Sequence, residues 1–459
     1  MTLGSEAVPE TADTHCHLYL PGLVERLPEA TEAPGLAWMV CPGIDAATSR
    51  ESVRIAAGFD RVRAAVGIHP SEASSCADEF GEIERLAFEP GVCAIGETGL
   101  DSNLGAPPTE LQTVLFERHV SLARDLDLPL ICHSRRAEET LLSILPSHCS
   151  HPVILHCYTG PADAALAAAS RGFYTSFSGA LTFRRNEALR ETAARLPRSL
   201  VLVETDSPYM APEPVRGRTC EPAFVVHTAR RIAEVRGEPV GETFRTLLGN
   251  AERAFLQGPC RRPSVIYVLG RRAYVNLTGK CCNSCRFCIR NISPGLGGYL
   301  LDHGGVEPEE ARVLGSISRL PREGLEELVF CGYGEPTARP GLLARAAVLA
   351  RSAGWRLRLD TNGLMLCFSG RDEALRLIRL FDSVSISLNA WDQCSYEALC
   401  RPSPAAGDAW ARLDEFVRLA SSAGVGVRLT AVAFDGVDLD RVRAAAALLG
   451  HDLTVRGFR

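Results

Sequence analysis

Six residues that can bind a divalent metal ion lie at the ends of predicted strands in the first half of the chain. They are His15, His17, Glu97, His133, His156 and Asp206. His15 and His17 are two residues apart, so in a strand both side chains point the same way. Such a donor set suits zinc, manganese or magnesium, and six ligands suit two ions bridged by Glu97 better than one catalytic zinc. A two-metal centre can polarise a phosphoryl or carbonyl oxygen and generate hydroxide near neutral pH.

Three cysteines in the second half have a spacing typical of an iron–sulfur cluster. Cys281, Cys285 and Cys288 form a C-x₃-C-x₂-C pattern, and three such thiolates can hold three irons of a 4Fe–4S cluster. Without a fourth cysteine ligand, one iron stays open to a small molecule. Zinc is the alternative, but it normally takes four protein ligands, and no C-x₂-C partner lies downstream. We expect Cys282 to point elsewhere and most of the 17 cysteines to be packing residues.

The elements that must position the first set of residues form a regular alternation. Eight strand candidates in residues 1–258 are each followed by a stretch that can form a helix, such as 109–126 or 136–147. These strands are TADTHC, LAWMVC, RVRAAVG, GVCAIGE, LPLICHS, PVILHC, FYTSF and SLVLVETD. The alternation predicts an α/β fold with a (β/α)8 TIM-type barrel. Because the carboxyl ends of barrel strands form the active-site face, we expect the six possible ligands to surround one cavity.

Six further strand candidates predict a second, incomplete barrel in residues 265–459. They are AYVNLTG, LVFCGYG, RLRLDTNG, SVSISLN, VGVRLTAVAF and LTVRGF, with helical stretches at 339–353, 371–381, 407–422 and 438–449 between them. Six units predict a (β/α)6 partial barrel that is open along one side. The turn-rich stretch GPCRRPS, where the balance of charge changes sign, indicates a linker at 259–264.

The composition excludes several classes of protein. Of 459 residues, 46% are hydrophobic and 23% are charged, which is typical of two or three globular domains and excludes long disorder. No apolar run approaches the roughly 18 residues of a membrane-spanning helix. The first residues lack the pattern of a signal peptide, so we expect a cytoplasmic protein with no membrane association.

The formal charge is unevenly distributed. It is −11 over residues 1–260 and +5 over residues 261–459, which add to the −6 of the whole chain. An acidic first half does not favour electrostatic attraction to nucleic acid. If that half acts on phosphates, metal ions must supply the positive charge.

The first half resembles the TatD-type metal-dependent deoxyribonucleases, relatives of the amidohydrolase barrels. The matching stretches, in the family order, are DTHCHL, GIHP, AIGETGLD, CHSR, LHCYTG, ETDSPYMAP, RG with EPAF, and Asn250 in GNAERAF. The resemblance implies one metal ion on His15, His17, Glu97 and Asp206, and a second on Glu97, His133 and His156. It also implies that the substrate phosphate lies close to His69 and Arg216. The implied activity is the release of nucleotides from the ends of DNA or RNA.

Three features depart from the family pattern and leave the substrate open. Ser102 and Asn103 stand where an aromatic pair usually follows the Asp of the GLD motif, and Cys220 replaces an Asn that is usual in the RG stretch. The acidic charge is the third departure. The same metals would also serve an amidohydrolase-like esterase, deacylase or deformylase that acts on a small molecule.

The second half resembles radical S-adenosylmethionine enzymes, and the whole chain resembles a TatD nuclease fused to a TatD-associated radical protein. Phe287, just before the third cysteine, matches the aromatic residue that lies against the adenine. CGYGEPT resembles the motif that receives the methionyl amine, and RLDTNG and SISLNA resemble strand ends that line the ribose and carboxylate. The implied cofactor-binding residues are Phe287, Gly334, Glu335, Pro336, Asp360, Asn362, Ser387 and Asn389.

This second resemblance implies reductive cleavage of S-adenosylmethionine and hydrogen abstraction from an unknown substrate by the resulting radical. Arg286 and Arg290 could meet an electron donor such as flavodoxin or ferredoxin, or an anionic substrate; the alternative is solvated surface charge. One chain with both activities suggests related substrates, such as nucleic acid or a nucleotide-derived metabolite. A non-catalytic role in electron transfer or sensing would leave the GEP and TNG strand ends without a function.

Overall fold

The computed structural model describes residues 9–103, 105–149, 151–255 and 263–457. The chain divides into two compact units, before and after the boundary between residues 262 and 263. The linker predicted at 259–264 lies outside the described residues except for residues 263 and 264, so the domain limits 1–258 and 265–459 stay predictions. No helix in the described part of the chain is long and apolar enough to cross a membrane.

The first unit contains a parallel sheet in which each strand pairs with the next one along the chain. Its strands are β1 (Thr11–Asp13), β2 (Leu36–Pro42), β3 (Val62–Val66), β4 (Val92–Asp101), β5 (Leu130–Arg135), β6 (Val153–Leu155), β7 (Tyr174–Phe177) and β8 (Val201–Val203). The Thr14 amide donates to the Val203 carbonyl (3.3 Å) and the His17 amide to the Ser207 carbonyl (2.8 Å), which joins β8 to β1. The sheet is therefore a near-closed barrel, and the eight predicted strands are confirmed.

The helices of the first unit surround this barrel. Over the described residues they are α1 (Leu27–Thr31), α2 (Ala46–Gly58), α3 (Phe80–Leu86), α4 (Thr109–Leu126), α5 (Glu138–Ile144), α6 (Ala162–Ser170), α7 (Glu187–Arg195), α8 (Val225–Arg236) and α9 (Val240–Ala254). Helix α4 has the predicted bounds. Helix α5 is shorter than the predicted 136–147, because Arg136 has a left-handed φ of 55° and Leu145 is extended.

Apolar side chains fill the interior of the barrel. Strand residues such as Trp38, Ile131 and Leu202 form a buried cluster with Ala251 and Phe255 at the end of α9. A larger apolar cluster also forms in this unit, as expected when strands are covered by an outer ring of helices. The barrel is therefore a packed support for its carboxyl end, where the predicted ligands lie.

The second unit is an open sheet of seven strands in the order β17-β16-β15-β14-β13-β10-β9. Its strands, with a separate two-stranded ribbon (β11 and β12), are β9 (Ile266–Leu269), β10 (Arg272–Val275), β11 (Gly295–Leu296), β12 (Tyr299–Leu300), β13 (Glu327–Phe330), β14 (Leu357–Thr361), β15 (Ser383–Ser387), β16 (Gly426–Ala433) and β17 (Leu453–Gly457). The helices over the described residues are α10 (Glu310–Arg319), α11 (Pro340–Ser352), α12 (Arg371–Ile378), α13 (Gln393–Cys400), α14 (Ala409–Ser422) and α15 (Leu439–Leu448).

Six of these seven strands are parallel and match the six predicted ones, so the (β/α)6 partial barrel is confirmed. Strand β9 was not predicted from the sequence; it pairs antiparallel with β10 through a turn at Gly270, where φ is +62°. Glycine adopts this left-handed backbone at no steric cost, which permits the tight turn. The added strand extends one edge of the sheet.

Asn250 of α9 links the last helix of the first unit to the start of β8. Its side-chain amide nitrogen, Nδ2, donates to the Val201 carbonyl (2.7 Å) and the Arg198 carbonyl (2.8 Å), and the side chain is buried. We expect Asn250→Ala to lower the free energy of unfolding by about 2 kcal/mol, because both carbonyls lose a buried donor. Hydrogen exchange of the β8 amides at increasing urea concentration measures the free energy of unfolding of this unit. The control Arg245→Ala, on the exposed face of α9, should change it by less than about 0.5 kcal/mol; equal effects would contradict the prediction.

Candidate metal and cofactor sites

The Glu97 carboxylate lies at the centre of the predicted metal ligands. Glu97 is buried and lies between Ile95 and Thr98, where the register of β4 against β5 shifts. Gly96 and Gly99 on either side have φ values of +139° and +140°, and a Cβ at Gly99 would clash with the carbonyl oxygen of His133. Only glycine fits both the conformation and the close approach. This local distortion aims the Glu97 side chain at the carboxyl end of the barrel.

One oxygen of Glu97 faces the histidines that follow β1. Glu97 Oε2 is 3.2 Å from His15 Nε2 and 3.8 Å from His17 Nε2. Asp206 Oδ1 completes this side, at 3.5 Å from His17 Nε2 and 4.0 Å from His15 Nε2. The structure thus brings together the four residues that the resemblance assigns to one metal ion.

The other oxygen of Glu97 faces three imidazoles. Glu97 Oε1 is 2.7 Å from His156 Nε2, 3.2 Å from His133 Nδ1 and 3.3 Å from His69 Nε2. His133 and His156 are the residues assigned to the second metal ion. His69, which the resemblance placed beside the substrate phosphate, is as close to Glu97 as His133 is, so it belongs to the same cluster.

In four of the five imidazoles, the ring nitrogen that faces away from Glu97 contacts another side chain. The pairs are His17 Nδ1 with Tyr19 Oη (2.9 Å), His69 Nδ1 with Ser71 Oγ (2.8 Å), His133 Nε2 with Asp101 Oδ2 (3.3 Å), and His156 Nδ1 with Glu204 Oε1 (3.3 Å). Partners of this kind orient the rings of metal-binding histidines. No role was predicted for these partners from the sequence, although Asp101 and Glu204 stand inside the motifs AIGETGLD and ETDSPYMAP.

The chemistry of this donor set fits divalent metal ions. Groups of three donors, such as His15, His17 and Glu97, have their ligand atoms within 4.8 Å of one another, a spacing that one ion can bridge. Burial alone would raise the pKa of the Glu97 carboxyl, but the neighbouring imidazoles, His156 foremost, bring that pKa well below its usual range. The carboxylate is therefore ionised and available to both sides of the cluster.

All residues of the cluster except His15 line a cavity of about 510 Å³. Arg135 and Tyr209 also line this cavity, and Tyr209 is 57% exposed. Arg216 is not among the residues that line it; its guanidinium carbon lies 4.0 Å from the centre of the Phe183 ring. Arg135 therefore lines the site, and its position two residues after the predicted ligand His133 was the available sequence signal; the substrate-binding role of Arg216 stays a prediction.

In the second unit, the cysteine loop is anchored to the end of α13. The Ser284 amide donates to the Cys400 carbonyl (3.1 Å), the Arg286 amide to the Leu399 carbonyl (3.0 Å) and the Ser403 amide to the Cys282 carbonyl (2.8 Å). These contacts fix the backbone on which the three predicted cluster ligands lie. All three cysteines are partly buried.

The thiols of this loop lie close enough to influence one another. Burial raises the pKa of the Cys288 thiol, and the sulfurs of Cys285 and Cys281 raise it further. The Asn362 side-chain amide donates to Cys282 Sγ (3.3 Å) and Cys281 Sγ (3.7 Å). The expectation that Cys282 points away is therefore wrong, because adjacent residues of a loop need not alternate in direction as they do in a strand.

Comparison with known proteins connects these two sites to two enzyme families. Residues 12–256, more than half of the chain, match the model of the TatD related DNase family. The chain belongs to the TatD-related DNase family. Residues 275–449 match the model of the Radical SAM superfamily, so the second unit contains a radical SAM domain. Both resemblances found in the sequence are confirmed.

The TatD-related unit is similar to proteins from several bacteria. The chain is 33% identical over 249 residues to the metal-dependent hydrolase YabD of Bacillus subtilis (53% of this chain, 98% of that protein). It is 32% identical over 242 residues to the 3′-5′ ssDNA/RNA exonuclease TatD of Erwinia tasmaniensis (51% and 92%). The crystal structure of the TatD homolog YjjV of Escherichia coli aligns with a TM-score of 0.51 and 27% identity (54% and 99%).

In the radical SAM unit, the Glu335 carboxylate joins the ends of two strands. Its Oε1 accepts hydrogen bonds from the Thr337 hydroxyl (2.7 Å) and the Thr361 hydroxyl (2.7 Å). Its Oε2 accepts one from the backbone amide of Asn362 (2.8 Å). The Glu335 amide donates to the Lys280 carbonyl beside the cysteine loop (2.7 Å). Glu335 thus connects the loop to the tips of β13 and β14.

The other predicted cofactor residues lie in separate parts of this unit. Gly334 packs against the Thr278 and Lys280 carbonyls so closely that a Cβ would clash, and Pro336 begins a short 3₁₀ turn. Asn389 Oδ1 accepts a hydrogen bond from the Val432 amide (2.8 Å), and Ser387 ends β15. Phe287 and Asp360 line a cavity, where Asp360 pairs with arginines. The cofactor-binding roles of these residues stay predictions.

A substitution of Glu204 tests whether the side chains that pair with the histidines contribute to metal binding. Glu204→Gln keeps an oxygen for the Cys157 amide (2.7 Å) but removes the negative charge beside His156. We expect metal affinity to fall roughly 10- to 100-fold, the usual effect of losing such a partner. Titration of the apoprotein with Zn²⁺ or Mn²⁺ against a competing chelator measures the change. Glu234→Gln, on the exposed side of α8, is the control and should bind metal like the wild type; an unchanged Glu204→Gln would contradict the prediction.

Glu335 supplies a second test, in the radical SAM unit. In Glu335→Gln one oxygen becomes an NH₂ group that faces the Asn362 amide, so two donors meet where a hydrogen bond was. We expect the Kd of S-adenosylmethionine to rise about tenfold, because a charged hydrogen bond that holds the strand tip is lost. Calorimetry on anaerobically reconstituted protein measures this. Equal affinity in Glu335→Gln and the exposed control Glu373→Gln would refute the role of Glu335.

Proposed function

We propose that the TatD-related unit is a two-metal phosphodiesterase that releases nucleotides from the ends of DNA or RNA. The observation that carries this proposal is the division of the Glu97 carboxylate, with two imidazole nitrogens near one oxygen and three near the other. That arrangement supports a carboxylate bridge between two ions of zinc, manganese or magnesium. The similar Erwinia protein, described as a 3′-5′ ssDNA/RNA exonuclease, supports the same substrate class.

In this proposal each side chain has a defined task. His15, His17, Glu97 and Asp206 hold one ion, and Glu97, His133 and His156 hold the other with His69 beside them. The two ions supply a polarised phosphoryl oxygen and a water with a lowered pKa. Asp206 is ionised, since His17 and the other imidazoles lower the pKa that its burial would raise, and it would hold its ion as a carboxylate.

The walls of the cavity fit the end of a nucleic acid chain. Arg135 offers a guanidinium for the phosphate next to the one that is cleaved, and exposed Tyr209 offers a ring on which a base can stack. Both residues act in binding and orientation, and the metal ions offset the acidic charge of the unit.

We also propose that the radical SAM unit cleaves S-adenosylmethionine reductively, with its cluster on Cys281, Cys285 and Cys288. The cluster, once reduced, supplies the electron for that cleavage. Phe287 would lie against the adenine of bound S-adenosylmethionine, and the strand ends at Asn362 and Asn389 would line the rest of the cofactor. Their positions beside the cysteine loop and at the ends of β14 and β15 support these roles.

Exposed arginines beside the cluster loop support an anionic electron donor. Arg286 and Arg290 flank Cys288 and are exposed, and the guanidinium carbon of Arg286 is 5.9 Å from the centre of the Phe434 ring. We propose that they receive an acidic protein such as flavodoxin or ferredoxin. The charge of the partner would then be complementary to this face.

A second candidate function for the first unit follows from its acidic charge, which is −11 over residues 1–260. The same centre could hydrolyse a small ester, an acyl amide or a formyl group without needing a basic surface. A panel of single-stranded DNA, RNA, p-nitrophenyl esters and N-acyl and N-formyl compounds separates the two candidates. Metal-dependent release of nucleotides supports the phosphodiesterase, whereas acyl hydrolysis with inert nucleic acids supports the alternative.

Two variants test whether the two activities are separate. We expect Glu97→Gln to reduce nucleotide release by more than about 100-fold, since even a partner behind a ligand is worth roughly 10- to 100-fold in metal affinity or activity. It should leave formation of 5′-deoxyadenosine with dithionite unchanged. Cys285→Ala should do the reverse, because the cluster loses a ligand.

The controls for these variants are Glu234→Gln and Cys394→Ala, both exposed in their own units. Each control should retain both activities. A wild-type protein that hydrolyses none of the tested phosphodiesters would refute the nuclease proposal. Failure to form 5′-deoxyadenosine after anaerobic reconstitution would refute the proposed cleavage of S-adenosylmethionine.

A further inference from the structure

The inner face of the partial barrel encloses a second cavity, of about 640 Å³. Phe287 lines it, so the cavity reaches the cysteine loop. The rest of its wall comes from strands β9, β10, β14, β16 and β17, from Cys331 just after β13, and from Ile289, Ile292 and Leu296 after the cysteine loop. A molecule in this cavity would therefore lie next to the place that Phe287 marks for the cofactor.

Arginines dominate the charged groups of this cavity. Those lining it are Arg272, Arg358, Asp360, Arg428 and Arg456. Glu327 approaches from the side, with its Oε2 at 2.8 Å from Arg358 Nη1 and 3.3 Å from Arg272 Nε. Four guanidinium groups thus face two carboxylates, which leaves an excess of two positive charges.

The carboxylates hold some of these arginines in place. Asp360 accepts from Arg358 Nε (2.8 Å) and lies 3.4 Å from Arg456 Nη2, which also donates to Ser385 Oγ (3.0 Å). The Arg358 and Asp360 side chains are only 10% and 9% exposed, so this pair lies in the interior, whereas the Arg456 side chain is 45% exposed. Pre-positioned guanidinium groups recognise oxyanions with little loss of side-chain entropy.

Arg428 is the member of the set that has no charge partner among the described residues. It extends from β16 into the cavity, and it is exposed. The neighbouring Arg456 is 45% exposed, and its pairing with Asp360 is long. These two guanidinium groups can each direct further donors at a ligand.

An aromatic pair forms the wall near β9 and β10. The rings of Tyr267 and Tyr274 are stacked, with their centres 5.0 Å apart and their planes inclined by 16°. Both rings line the cavity, and the Tyr267 hydroxyl is fixed by donating to the Cys331 carbonyl (3.0 Å). Tyr267 is only 4% exposed and packs behind Tyr274, so the partly buried Tyr274 ring is the one that presents flat apolar surface to a planar ligand group.

We propose that this cavity binds the substrate of the radical reaction, and that the substrate is a phosphate monoester with a planar group, such as a nucleoside monophosphate. Its phosphate is held by Arg428 and Arg456, and its planar part lies against Tyr274, which Tyr267 supports from behind. A phosphate monoester carries about −1.5 to −2 charge at pH 7, which matches the excess of two positive charges. The inference rests on the proposed function of the radical SAM unit and names its substrate class.

Binding measurements on the full chain test this substrate class. Anaerobically reconstituted protein, with S-adenosylmethionine present to fill the cofactor site and no reductant, is titrated with uridine 5′-monophosphate, uridine and phthalate. We expect the monophosphate to bind at least about tenfold more tightly than uridine. Phthalate, a planar dianion without phosphorus, separates recognition of phosphate from recognition of charge.

The variant Arg428→Gln should remove that preference, with the Kd of the monophosphate rising about tenfold or more. Arg428 has no charge partner to leave unpaired, so the fold should tolerate the change. Arg379→Gln, at the exposed end of α12, makes the same change of charge outside the cavity and should bind like the wild type. The metal centre of the first unit is present in all these proteins, so the difference between variants reports the radical SAM cavity.

Each other outcome overturns the proposal. Equal affinity for uridine and its monophosphate, or an unchanged Arg428→Gln, would exclude phosphate recognition by this cavity. Phthalate binding as tightly as the monophosphate would show that charge alone is recognised. Because binding needs no electron, a negative result here leaves the 5′-deoxyadenosine assay intact, and a failed assay leaves the binding result intact.

Discussion

The TatD-related unit depends on one buried carboxylate that five imidazoles approach. Glu97 is 3% exposed, and its two oxygens divide the histidines between them. Imidazoles from separate strand ends can reach one carboxylate only if the barrel closes and if β4 is distorted beside Gly96 and Gly99. The packed interior and the bonds from β8 to β1 therefore serve the geometry of a few atoms at the carboxyl end.

A second buried carboxylate has a related task in the radical SAM unit. Glu335 binds backbone and hydroxyl donors instead of imidazoles, and it joins the tips of β13 and β14 beside the cysteine loop. Both units thus place their reactive groups where parallel strands end, because side chains from successive strands converge there. The difference lies in the partners: one carboxylate lies among imidazoles, and the other accepts hydrogen bonds from backbone and hydroxyl groups beside the cysteine loop.

The sequence predicted much of this structure, and its failures have physical causes. Strands and motifs could be read because hydrophobic runs and turn residues are local signals, and fourteen predicted strands in the two units are present. Strand β9 was missed because its pairing depends on a turn at Gly270 and on a partner strand, which no periodicity of Ile266–Leu269 reveals. Helix α5 began later than predicted because of the backbone at Arg136.

The sequence by itself determined the residue types and the order of the strands that carry them, since metal ligands and cluster cysteines occur in spacings that few other structures need. Only the tertiary structure decided how these residues meet. It placed His69 beside Glu97, put Arg135 in the cavity wall and left Arg216 against Phe183. It also paired Asp360 with the arginines of the second cavity. The reason is that sequence motifs specify which strand end a side chain leaves from, whereas loop backbone and packing set the direction in which it points.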